Sequence, residues 1–152
     1  MNQLKVLFVG SSGGHLAQMI SMRPWYKNHQ RIWVTFNTPD AISALENEKV
    51  FWMKHSPERK PWDLLKTLWA GIRLLPKVKP DVVVSTGASL GTIFIAIARL
   101  LGIATVYVEV FDRIELKSMS GRICYHIADK FGVQWEEQLK LYPNATVVGP
   151  LL

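Results

Sequence analysis

Apolar positions along the 152-residue chain fall into short, β-branched runs alternating with stretches of helical spacing. Residues 4–9 read as a buried strand that runs straight into the turn Gly10-Ser11-Ser12-Gly13-Gly14-His15. Leu16, Met19, Ile20 and Met22 then recur every three to four residues, which predicts a helix over 14–22. Residues 31–35 form a second strand. Thr38-Pro39-Asp40 has the form of a cap with proline at the first helical position, opening a helix to about residue 46. A short strand at 50–53 and a basic loop at 55–61 precede a helix over 62–75, stopped by Pro76. Residues 81–85, three valines between polar residues, are a fully buried strand. Thr86-Gly87-Ala88-Ser89 turns that strand into the apolar helix 90–101, which Gly102 ends. Strands at 105–108, 131–134 and 145–148 and helices at 120–129 and 136–141 complete the pattern.

Strands alternating with helices throughout predict an α/β fold with a mostly parallel sheet covered on both faces, a doubly wound Rossmann-like domain. With no repeat, low-complexity tract or linker, residues 1–152 read as one domain. The apolar stretch 88–110 is broken by Arg99 and Gly102, and a bilayer span needs ~20 apolar residues, so a core helix between buried strands is expected there. The 62–75 helix carries Trp62, Leu65, Trp69, Ile72 and Leu75 near one face, with Lys66 and Arg73 elsewhere. It suits either a membrane interface or packing on the sheet. Both hold if Leu64 and Leu68 face the core while the tryptophans face lipid.

Composition changes this picture little and charge changes it more. Hydrophobic content of 49% with 20% charged residues excludes a disordered chain. The single cysteine, Cys124, forms no internal disulfide and has no metal-ligand companions, which fits a reducing cytoplasm. The run 6–9 ends at Gly10, too short for the apolar region of a signal peptide. Of the net charge of +6, five charges lie between residues 54 and 79, where Lys54, Arg59, Lys60, Lys66, Arg73, Lys77 and Lys79 face only Glu58 and Asp63. This is either a plain solvated face or a patch for an acidic surface, phospholipid headgroups or a polyanion. No nucleic-acid partner is expected.

The glycine turn is the candidate chemistry. Strand, glycine turn and helix start together make an anion or sugar site, since glycines admit ligand atoms to the backbone and free helix N–H groups point at them. A P-loop needs a lysine after its glycines, and none follows here. A dinucleotide fingerprint needs glycine where Ser12 stands, and an acid after the second strand, which instead ends Thr35-Phe36-Asn37.

The remaining form, Gly10-Ser-Ser-Gly-Gly-His15, resembles the N-terminal loop of GT-B glycosyltransferases such as MurG. Tyr107-Val-Glu-Val-Phe-Asp-Arg113, Ser118-Met-Ser-Gly-Arg122, Ala128-Asp-Lys-Phe-Gly-Val-Gln-Trp135 and Tyr142-Pro143 resemble a smaller family. It comprises the membrane-anchoring subunit of the eukaryotic enzyme that adds the second N-acetylglucosamine to the dolichol-linked oligosaccharide, and bacterial capsule and exopolysaccharide proteins of the CpsF, EpsE and PssD kind. The bacterial form fits better, because the eukaryotic subunit's long N-terminal membrane helix has no counterpart here. The resemblance implies a split enzyme in which this chain equals the N-terminal half of a GT-B transferase and holds the acceptor. A separate glycosyltransferase subunit then binds the nucleotide sugar, and the acceptor is a polyprenyl-pyrophosphate-linked sugar. Gly149-Pro150-Leu151-Leu152 stands about where a linker to a second domain would begin.

On this reading His15 is either a base or acceptor ligand, or a histidine that caps and packs the loop. Glu109, at the carboxyl end of its strand, is either a second base or sugar ligand, or a structural hydrogen-bond partner. Ser12, Gly13, Gly14, Gly87 and Ser89 are expected to meet acceptor or phosphate. Arg113 and Arg122 suit phosphate or a surface pair with Asp112 or Asp129. Gln134 and Trp135 are expected to pack or to meet a partner. Trp62, Lys66, Trp69, Arg73 and Lys77 form the membrane side of a peripheral protein on the cytoplasmic face. No metal and no cofactor is expected. The expected function is acceptor binding in a two-chain UDP-sugar transferase of bacterial surface-polysaccharide assembly; the alternative is a non-catalytic anchor that recruits a transferase to the membrane.

Overall fold

The computed structural model describes residues 2–55 and 60–151. Its sheet has seven parallel strands in the order β3-β2-β1-β4-β5-β6-β7. These are β1 (Lys5–Val9), β2 (Gln30–Phe36), β3 (Val50–Met53), β4 (Val82–Ser85), β5 (Ala104–Val108), β6 (Lys130–Val133) and β7 (Thr146–Val147). The helices are α1 (Gly14–Ser21), α2 (Arg23–Tyr26), α3 (Pro39–Ala44), α4 (Pro61–Val78), α5 (Ala88–Leu100) and α6 (Met119–Ile127), with a 3-10 helix at Glu136–Lys140. The expected doubly wound Rossmann-like sheet is therefore present.

Alternation along the central strands builds a core on each face. Val6 and Phe8 of β1 join Trp33, Val82 and Val84 against α1, α2 and α3. Phe8 stacks on Trp33 with ring centroids 4.4 Å apart. Leu7 and Val9 point the other way and join Ile32, Val34, Val83 and Tyr107 against α4, α5 and α6. The chain builds outward from β1 to β3, then returns through α4 to place β4 on the other side of β1. The helices after β1 and β4 pack on opposite faces of the sheet, so the carboxyl ends of these two strands form its switch point, the crevice position at which open α/β sheets hold ligands.

Several elements differ from expectation. The first helix ends at Ser21, and Pro24 opens the separate short helix α2. Pro76 does not stop α4: it gives up one ladder bond in the last turn, while the buried Leu75 and Val78 hold that turn against the sheet, and Lys79 (φ 50°) ends it. The core side of α4 is Thr67, Gly71, Leu75 and Val78, whereas Leu64 and Leu68 are exposed. Gly71 decides this orientation, because a Cβ there would overlap Ile97 and touch Phe94 of α5 at 3.6 Å. Asp129 lies beyond α6 and bonds the Thr105 N–H and hydroxyl, both at 2.9 Å. Within the expected basic loop, residues 56–59, with Glu58 and Arg59, lie outside the described residues.

Candidate functional site: the crevice between the first and fourth strands

On the β1 side, the Gly10 N–H bonds the Val34 carbonyl at 3.2 Å, and a Cβ on Gly10 would meet Met19 Cε at 2.8 Å. Gly13 sits at φ 77° and donates its N–H to Asp40 Oδ2 at 3.2 Å, so the turn is tied to α3. Ser12 is half-buried, and Gly13 and Gly14 are exposed. The turn thus delivers His15 to the first turn of α1 with a fixed backbone.

On the β4 side, Thr86 and Gly87 are buried, and Ser89 is exposed on the first turn of α5. The two sides are clamped twice. His15 Nδ1 donates to the Thr86 carbonyl at 3.1 Å, and Thr86 Oγ1 donates to the His15 carbonyl at 2.9 Å. A carbonyl only accepts, so Nδ1 carries the ring proton and Nε2 keeps its lone pair. Gly87, at φ 131°, lets the backbone lie against the imidazole: a Cβ there would be 2.9 Å from His15 Cε1 and 3.0 Å from the Tyr107 hydroxyl. Burial holds the His15 pKa below 6.5, with the Thr86 carbonyl, Glu109 and Asp112 opposing this and Arg113 adding to it. The imidazole is therefore neutral at pH 7, with a free nitrogen able to accept a proton. Asp112 and Arg113, exposed in the loop after β5, are close enough for their charges to act on it.

Glu109 lies beneath this crevice, with no exposed surface. Its carboxylate accepts from Ser118 Oγ at 2.8 and 2.9 Å, from the Val110 N–H at 3.1 Å and from the Tyr142 hydroxyl. Ser118 Oγ in turn accepts from the Gly121 N–H at 2.8 Å, capping α6. Gly121 is bare because a Cβ there would overlap the Glu109 carboxylate and the Tyr142 hydroxyl. Glu109 thus makes structural hydrogen bonds that organise residues 110–121. Arg113 and Arg122 are exposed, and Asp129, an expected partner, pairs with Arg99 at 3.2 Å.

Sequence reasoning missed the polar framework around these groups. Ser118 and Tyr142 stand in the resemblance motifs with no role assigned to them, and Gln18 and Gln138 carry no expectation; Gln134 is bonded to Gln18 and to the Glu109 carbonyl. The available signal was a set of glutamines inside otherwise apolar segments. Trp135 bonds the Phe111 carbonyl at 2.9 Å through its ring N–H.

The other predicted surface stands apart on α4. Trp62 and Trp69 are 70% and 57% exposed, and with Leu65, Leu68 and Ile72 they line an open apolar groove. Lys66, Arg73 and Lys77 are exposed beside it. The Arg73 guanidinium lies 4.7 Å over the Trp69 ring, and Lys66 pairs with Asp63 at 3.5 Å. Because α4 follows β3, it starts at the same carboxyl edge of the sheet as the crevice. Among the described residues no helix is long and apolar enough to cross a membrane.

Known proteins are similar to this chain in sequence and in fold. The chain is 28% identical over 180 aligned residues to the human UDP-N-acetylglucosamine transferase subunit ALG14, covering 98% of this chain and 83% of that protein. Its fold matches MurG from Acinetobacter baumannii (TM-score 0.76, 18% identity, 97% of this chain and 46% of that one). It also matches UDP-N-acetylglucosamine 2-epimerase from Rickettsia bellii (TM-score 0.75, 15% identity, 93% of this chain and 42% of that one). The chain thus spans under half the length of either structure. The profile described as "Oligosaccharide biosynthesis protein Alg14 like" matches residues 52–151, most of the chain, and the protein belongs to that family.

Proposed function

We propose that this chain is the acceptor-binding, membrane-associated subunit of a two-chain UDP-sugar glycosyltransferase. It works at the cytoplasmic face of the membrane on a polyprenyl-pyrophosphate-linked sugar in bacterial capsule or exopolysaccharide assembly. The observation that carries the reading is His15, held at the sheet's switch point by Thr86 with Nε2 unprotonated. Two features support it: the chain's likeness to under half of a GT-B-type structure, and a relative whose name is that of a transferase subunit.

The crevice holds the acceptor, with the first turns of α1 and α5 and Arg113 facing its phosphates. His15 Nε2 takes the acceptor hydroxyl proton as that oxygen attacks the anomeric carbon. The bond from that carbon to UDP breaks, its electron pair leaves on the UDP oxygen, and the configuration inverts. The separate chain binds the UDP-sugar. Glu109 supports the crevice from below, its oxygens already engaged. The tryptophan-bearing, basic face of α4 lies on the membrane, where burial and charge attraction add.

The test mixes this chain, a candidate nucleotide-sugar-binding chain, radiolabelled UDP-sugar and a polyprenyl-pyrophosphate-linked acceptor. Transfer is expected only from the pair, and His15→Ala is expected to lower kcat about 100-fold or more without weakening the complex. Full transfer by this chain alone overturns the split site. Full activity of the His15→Ala pair overturns the base and leaves the anchor reading.

A further inference from the structure

We propose that Gln134 is a positioning residue for the crevice: it locks α1, and with it His15, to the loop that leaves β5. This rests on the reading of the crevice as the acceptor site.

At eight residues α1 is about 12 Å long, too short to hold itself in water. One end is clamped to Thr86 through His15. One turn on, Gln18 is 2% exposed, and its Oε1 accepts from Gln134 Nε2. Gln134 follows β6, two strands beyond β4, so the link runs along the sheet edge from α1 to the start of the loop that leaves β5. Its second Nε2 hydrogen goes to the Glu109 carbonyl at 3.0 Å, and its Oε1 accepts from the Leu151 N–H at 2.9 Å. Gln138 completes the fixture. Its Nε2 donates to the Val110 and Arg113 carbonyls at 2.9 and 3.1 Å, and its Oε1 accepts from the Gln134 and Trp135 N–H groups at 2.8 and 3.1 Å. All three glutamine side chains are buried, so a slip of α1 or of the loop strands a donor or acceptor away from water. In this arrangement all three amides have partners, and together they tie α1 to the loop that carries Asp112 and Arg113.

The experiment follows the His15 ring proton by NMR through a pH titration of the free chain, in Gln134→Leu, Gln18→Leu and the double variant. Val78→Ala, a core change at the far edge of the sheet, is the control. The groups acting on His15 are the Thr86 carbonyl, Glu109, Asp112 and Arg113. Loosening α1 hydrates the ring, so each single variant is expected to raise the His15 midpoint by about half a pH unit, and the double no further. Val78→Ala is expected to lower the melting temperature without moving the midpoint. If Gln134→Leu fails to fold, Gln18→Leu removes the α1 end of the link alone and carries the test. A folded Gln18→Leu or Gln134→Leu chain with the wild-type midpoint overturns the proposal. The titration needs neither acceptor nor partner, so its failure is distinct from failure of the transfer reading.

Discussion

Gly121→Ala adds one methyl group to α6 at the point where the helix lies against the buried carboxylate. A Cβ at this position would overlap Glu109 Oε2 and the Tyr142 hydroxyl and approach Glu109 Cδ to 2.9 Å. The carboxylate cannot step aside freely, because Ser118, Tyr142 and the Val110 N–H hold it. Overpacking a closed core costs about 1–3 kcal/mol, and losing one hydrogen bond to a charged group costs about 1.5–3 kcal/mol. Alanine returns about 1 kcal/mol as the better helix former. The net expectation is a loss of about 1.5–5 kcal/mol, or roughly 3–20 °C in melting temperature for a chain of this length. Urea unfolding followed by far-UV circular dichroism measures it, with Gly14→Ala as the comparison, since a Cβ there meets nothing within 4 Å. If Gly121→Ala is as stable as wild type, helix propensity outweighs the clash, and the carboxylate cluster is softer than its geometry indicates.

His15 supplies a pH signature. Its folded pKa lies below 6.5, so both states are neutral above that pH, and as pH falls the unfolded chain takes up a proton that the folded chain resists. Wild type is expected to lose stability relative to His15→Gln between pH 7.5 and 5.5, read from urea midpoints; parallel midpoints across that range would contradict the buried, neutral imidazole. On α4, replacing Lys66, Arg73 and Lys77 with glutamine removes about 1 kcal/mol of lipid attraction per charge, which weakens binding to phosphatidylglycerol vesicles roughly 100-fold. Cosedimentation measures this, and unchanged binding would return that face to simple solvation.

The alternation of β-branched runs and helical spacing was enough to determine an α/β sheet, because a strand apolar on both sides is soluble only between two helical layers. The turn Gly10–His15 was legible for a similar reason: glycine at positive φ and the start of a helix are local properties, as Gly13 at φ 77° bears out. Which face of α4 is buried was not legible, since Leu64 and Leu68 are as apolar as Leu75. Gly71 settled that by admitting Phe94 and Ile97 of a helix found later in the chain. The surroundings of Glu109 depend on Ser118 and Tyr142, nine and thirty-three residues away. Gln18 and Gln134 meet across 116 residues of sequence. Periodicity reports where hydrocarbon goes; a buried polar group is satisfied by whichever partners the fold brings within 3 Å, and only the tertiary structure decides those.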